Sequence, residues 1–155
     1  MTWLPDQTLA DFVTVARLAG VTLATEDIRI EALPAPHAPP TRLPAGTMAV
    51  YVFTHGSDVL KVGKVGPKSQ ARYTSQHYIP GSAKSTLAAS MIADAERLGL
   101  GEADMAEIGS WIRGEVDRVN ILLPARLGVP VLTLLESFLQ CRLRPRYEGF
   151  KSQRG

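Results

Sequence analysis

The chain has 155 residues, 45% of them hydrophobic, enough to build one domain with a real core. No apolar run approaches the roughly eighteen residues that a bilayer span needs, and the start MTWLPDQTLADF lacks a basic flank followed by an apolar stretch, so neither a membrane protein nor a secreted one is expected. A cytoplasmic location is expected. The formal charge of +2 is too small to identify a nucleic-acid binder, and the single Cys141 excludes a disulfide framework or a cysteine zinc site within one chain.

In chain order, Asp6 to Leu18 carries apolar residues at helical spacing after Pro5 and is stopped by Gly20. Ile28 to Leu33 alternates briefly. Five prolines then crowd residues 34 to 44, which excludes helix and central strand alike, and His37 within that linker reads as exposed. Residues 1–45 are therefore expected to be an N-terminal helix and a Pro-rich linker. Met48 to Phe53 and Val59 to Gly63 read as strands of a hairpin with a five-residue loop at residues 54–58, carrying an exposed His55. If Phe53 and Val59 close it, Tyr51 stands directly opposite Lys61.

Ser69 suits an N-cap for a helix over Gln70 to Tyr78, on which Arg72 and Gln76 share a face. His77, five residues after Arg72, would lie about 140° away around an ideal helix. Ser85 to Leu98 and Glu102 to Arg113 are expected as helices, the second anchored by Trp111 and Ile112, and Arg118 to Leu123 as a third strand. Val129 to Leu143 is the last helix, begun with Pro130 and closed by Pro145. Its apolar arc carries Val131, Leu132, Leu134, Leu135, Phe138, Leu139 and Leu143, and Cys141, within the same apolar pattern, reads as a packing residue. Glu136 sits at the border of that arc, where a carboxylate is costly unless a cation or donors compensate it.

Basic residues gather twice: Lys61, Lys64, Lys68, Arg72 and Lys84 in one run, and Arg142, Arg144, Arg146, Lys151 and Arg154 near the C-terminus. They could meet on one face. Gly63-Lys64-Val65-Gly66-Pro67-Lys68-Ser69 fails as a Walker loop, because Val62 and Pro67 stand where that motif requires glycines.

The order of these parts resembles the GIY-YIG nuclease superfamily over about Thr47 to Phe150. Ala49-Val50-Tyr51 matches the first tripeptide, Lys61-Val62-Gly63 the second in the manner of KIG-type branches, Arg72 the helix arginine and Glu136 the metal-ligand glutamate. Ala49 stands where the family has glycine, and Glu148 stands near the family's asparagine. The resemblance implies an α/β domain at 46–150 with a small, mainly antiparallel three-stranded sheet flanked by helices, and a tail at 151–155. It implies a metal-dependent endonuclease acting on nucleic acid, DNA by analogy, with Mg2+ or Mn2+ on Glu136. Tyr51, Lys61, Arg72 and Glu136 would be catalytic, and Gly63, Lys64, Lys68, Gln76 and His77 would bind substrate. A tyrosine is a weak base near neutral pH, so Lys61 and Lys64 are expected to favour its phenolate. A homodimer or a partner protein would supply specificity. The alternatives are a non-hydrolytic nucleic-acid-binding module of the same fold, or a protein-interaction domain.

Overall fold

The structure, a computed structural model, describes residues 3–83 and 86–147. Lys84, Glu148, Lys151 and Arg154, and with them the asparagine comparison and the tail, lie outside those residues. Four strands form one antiparallel sheet: β1 (Arg29–Leu33), β2 (Thr47–His55), β3 (Asp58–Val65) and β4 (Asp117–Pro124), in the order β1-β4-β2-β3. The expected fold class holds with one strand more. Arg29–Leu33, which alternates in the sequence, pairs along the free side of β4.

Side chains of successive strand residues point to opposite faces, so the sheet sorts the sequence into two cores. One face carries Met48, Val50, Val52, Val62, Ile121 and Leu123 against two long helices, α1 (Pro5–Leu18) and α7 (Val129–Leu143). The amphipathic stripes read from the sequence supply the cover: Leu9, Phe12 and Ala16 from α1, and Val131, Leu132, Leu135 and Leu139 from α7. Pro5 and Pro130 sit in the first turn of each helix, where a missing N–H costs nothing. The N-terminal segment thus packs into the same core and sheet as the rest.

The other face carries Ala49, Tyr51, Phe53, Val65 and Leu122 under short helices: α2 (Gln70–Thr74), α3 (Leu87–Ala93), α4 (Ala95–Leu98), α5 (Glu102–Ala106) and α6 (Ile108–Glu115). Each of the three helices expected here is broken in two. After Thr74 the chain tightens into a 3-10 turn, Gln76–Tyr78. At Asp94 the carboxylate is drawn aside to accept from Tyr147 Oη and Arg97 Nε, both at 2.7 Å, and the helix restarts in a new direction. Glu107 separates α5 from α6, and Gly109 then lets α6 approach the Tyr78 carbonyl so closely that a methyl group there would collide with it.

The hairpin departs from its expected register. Gly56 adopts a left-handed φ of 60° and the turn is confined to Gly56 and Ser57, while a bulge between Phe53 and Thr54 shifts the remaining pairs. Tyr51 therefore pairs with Gly63, and Lys61 pairs with Phe53. Tyr51 and Lys61 share a face but are diagonal, not opposed. Three side chains also differ in setting: His37 is half-buried on Tyr78, His55 is half-buried on Trp111 with ring centroids 5.2 Å apart, and Cys141 is exposed. Trp111 is half-buried and Ile112 fully buried, as anchors should be.

Candidate active site at the β3 edge

Two straight rows cross the polar face. One runs Glu31, Asn120, Tyr51, Gly63, and the next runs Leu33, Arg118, Phe53, Lys61. The first row ends at Gly63 without a side chain, and the Tyr51 phenol takes the space this leaves. A methyl group at that position would strike the Tyr51 hydroxyl, so the phenol lies across the glycine toward the outer edge of the sheet. Tyr51 is fully buried, and its Oη has no hydrogen-bond partner among the described residues.

Burial is the main influence on that phenol and pushes its pKa up. Arg72 opposes this through its charge and an approach that falls short of full hydrogen-bond geometry, and Arg118 opposes it more weakly. Glu136 adds to the rise. The phenolate expected from Lys61 and Lys64 is therefore not the favoured form. Tyr51 stays a neutral hydroxyl, and the cation that acts on it most is Arg72.

Lys64 lies on the aliphatic face, because its partner in the register is Val50. There it meets Glu136 from α7, with Nζ and Oε1 3.2 Å apart and the carboxylate side chain 17% exposed. The compensating cation for the border glutamate is thus a lysine one residue beyond Gly63. Glu136 and Tyr51 approach the β3 edge from opposite faces of the sheet, close enough for the carboxylate charge to act on the phenol. Gln140, one turn after Glu136, donates to the Val62 carbonyl at 3.3 Å and fixes α7 along the strand. Lys68 is exposed on the loop before α2, and Gln76 is half-buried in the 3-10 turn.

That same 3-10 turn overturns the expected direction of His77. Continuous helix would have carried it away from Arg72; instead it is buried against Tyr51, with ring centroids 4.4 Å apart, and against Phe53 at 5.5 Å. Burial, then the charges of Lys61, Arg72 and Arg118, hold its pKa well below the ordinary value. The ring is neutral near pH 7. Its Nδ1 accepts the Leu87 N–H at 3.2 Å, so the proton sits on Nε2, which has no acceptor among the described residues. His77 is a donor there, not a base.

Behind these groups lies a buried polar network. Arg118, 1% exposed, donates to Asn120 Oδ1 at 2.7 Å, to the Tyr73 carbonyl at 2.7 Å and to Tyr78 Oη at 3.3 Å. Its guanidinium also lies 5.1 to 5.8 Å from the ring centres of Phe53, Tyr73 and Tyr51. Glu31 accepts from Asn120 Nδ2 at 3.1 Å and Tyr73 Oη at 3.2 Å, and His37 Nε2 bonds Tyr78 Oη at 2.7 Å. The sequence carries a signal for this network: in RVNILL, Arg118 and Asn120 are two apart in an otherwise apolar strand, hence on one face.

Among the described residues no three histidine, cysteine, aspartate or glutamate side chains gather as a metal site. Among the described residues, Glu136 is the carboxylate whose charge acts on Tyr51. One hard oxygen ligand fits magnesium, which keeps most of its waters, provided that Lys64 yields or shares the carboxylate. Among the described residues, no helix is long and apolar enough to cross a membrane. Comparison with protein-family models, with curated proteins and with solved structures gives no match for this chain.

Proposed function

We propose that the chain is a phosphodiester hydrolase of the GIY-YIG type, acting on nucleic acid with DNA as the substrate expected by analogy. The observation that carries this reading is the convergence of the Arg72 and Glu136 charges on the Tyr51 hydroxyl, which lies over Gly63 at the β3 edge. Phosphodiester hydrolysis needs donors for the growing charge on phosphoryl oxygens and a positioned water. Arg72 supplies a planar fork for two such oxygens. When it turns to phosphate, the Tyr51 hydroxyl loses its strongest neighbouring cation and becomes the donor that orients water or oxygen. A magnesium or manganese ion held by Glu136 would supply charge neutralisation for the leaving alkoxide. His77 keeps the Tyr51 ring in place by a tilted ring contact, and Lys61 adds positive charge to the same face.

A second reading has its own observation. The Lys64 ammonium already sits on Glu136, where a metal would have to bind, and this favours a module that holds nucleic acid without cutting it. Incubation with mixed DNA and RNA, with and without magnesium or manganese, separates the two, with Glu136→Ala as control. Metal-dependent cleavage by the wild-type chain and none by Glu136→Ala is the expected result. The ion pair is partly exposed, so its loss should change stability by no more than about 1 kcal/mol. Binding without cleavage in any metal would establish the second reading instead.

A further inference from the structure

At the other end of β3, the last turn of α7 and the chain after it bring Arg142, Arg144 and Arg146 around a cleft of about 480 Å³ that Trp3, Ser57 and Asp58 complete. Three guanidinium groups face one carboxylate in its lining. Asp58 is shared at long range, 3.9 Å from Arg146 and 4.0 Å from Arg97, and Arg142 is held by Asp11 at 2.6 Å. Arg144 has no ion pair among the described residues and is exposed. Its backbone is left-handed, with φ 50° and ψ 60°, a conformation that glycine or asparagine would occupy at less cost. Arg146 is anchored by its own N–H, which donates to the Val59 carbonyl at 2.9 Å.

We propose that this arginine cleft is a second anchor for the phosphate backbone of the nucleic-acid strand whose scissile phosphate sits at Gly63. This rests on the nucleic-acid reading above. Val59 and Gly63 are four residues apart on one strand, about 13 Å at the usual rise. That is the reach of only a few nucleotides of one strand. Arg146 and Tyr147 cover that outer edge, donating to the Val59 and Leu60 carbonyls at 2.9 and 2.8 Å, so a backbone running beside β3 passes over them and meets Arg72 at one end and Arg144 and Arg146 at the other. Trp3, half-buried beside them, offers a ring on which an unpaired base stacks. Arg72 from one basic run and Arg144 and Arg146 from the other then serve one ligand at two stations, not one merged patch.

The test is fluorescence anisotropy without divalent metal, over a range of salt, on a labelled single strand of roughly twelve nucleotides and on a trinucleotide. The comparison is wild type against Arg144→Gly, which keeps the left-handed backbone without strain and so should stay folded. Expected is several-fold weaker binding of the longer strand by Arg144→Gly, a salt slope lower by about one unit, and unchanged binding of the trinucleotide. Equal affinity and slope for both proteins on the longer strand would overturn the second anchor and leave the Gly63 site standing. Absence of salt-dependent binding by the wild-type chain would overturn the nucleic-acid reading itself, and the anchor with it.

Discussion

The two faces of the sheet are built by opposite rules. Toward α1 and α7 the strands present Met48, Val50, Val52, Val62, Ile121 and Leu123, with Lys64 and its Glu136 partner kept at the margin. Toward the short helices they present Tyr51, Lys61, Arg118 and Asn120, all at most 4% exposed, with His77 above them. Burying such groups costs free energy that an aliphatic face avoids, and bonding recovers it only where every group finds a partner. Arg118, Asn120 and Glu31 do. Among the described residues Tyr51 Oη and His77 Nε2 do not, and the two rings lie against each other beside Gly63. On the proposed reading, these two donors are the ones that an outside acceptor would satisfy.

Substitutions that separate the faces sharpen this contrast. Arg118→Ala should cost about 3–5 kcal/mol in urea denaturation, because it strands acceptors on Asn120, Tyr73 and Tyr78. Leu135→Ala on the aliphatic side should cost about 2–5 kcal/mol through the cavity it leaves, yet should leave cleavage per folded molecule unchanged. Loss of cleavage in Leu135→Ala at full folding would mean that the two faces do not divide stability from chemistry. Gly63→Ala comes next: forcing the Tyr51 hydroxyl aside should cost about 1–3 kcal/mol and most of the activity. Adding Tyr51→Phe should return much of that stability, and simple additivity would break the packing argument.

A smaller effect concerns pH. His77 has a folded pKa below its ordinary value, so below pH 6.5 the unfolded chain binds the extra proton and stability falls as pH drops. His37, also shifted down by burial and Arg118, acts in the same direction. His77→Phe should flatten this slope between about pH 6.5 and 5, where one group contributes at most about 1.4 kcal/mol per unit. An unchanged slope in that variant would show that His77 is not buried as a neutral ring.

Legibility in the sequence followed the same division. The elements of the aliphatic face declare themselves by long periodic stripes, and α7 keeps the bounds expected for it, Val129–Leu143. β1 was visible as alternation but too short to claim a place beside β4. The polar face was harder because its positions depend on single-residue irregularities. One bulge after Phe53 moved Tyr51 from Lys61 to Gly63, and one tightened turn after Thr74 brought His77 onto Tyr51. Neither carries a proline or glycine to announce it. Tyr51, Arg72 and Glu136 were legible as a set through their order along the chain. Arg118 and Asn120, which hold the floor beneath them, were legible only as an odd pair in an apolar strand.

The most direct test is metal-dependent cleavage by Tyr51→Phe, measured beside its thermal or urea stability. The lost hydroxyl is buried without a partner among the described residues, so stability should match or exceed that of the wild type. Turnover should fall by about a hundredfold or more, the scale expected when one positioned donor is removed. A Tyr51→Phe chain that folds as well as the wild type and cleaves as fast would contradict the assignment of the Tyr51 hydroxyl over Gly63 as the reacting centre.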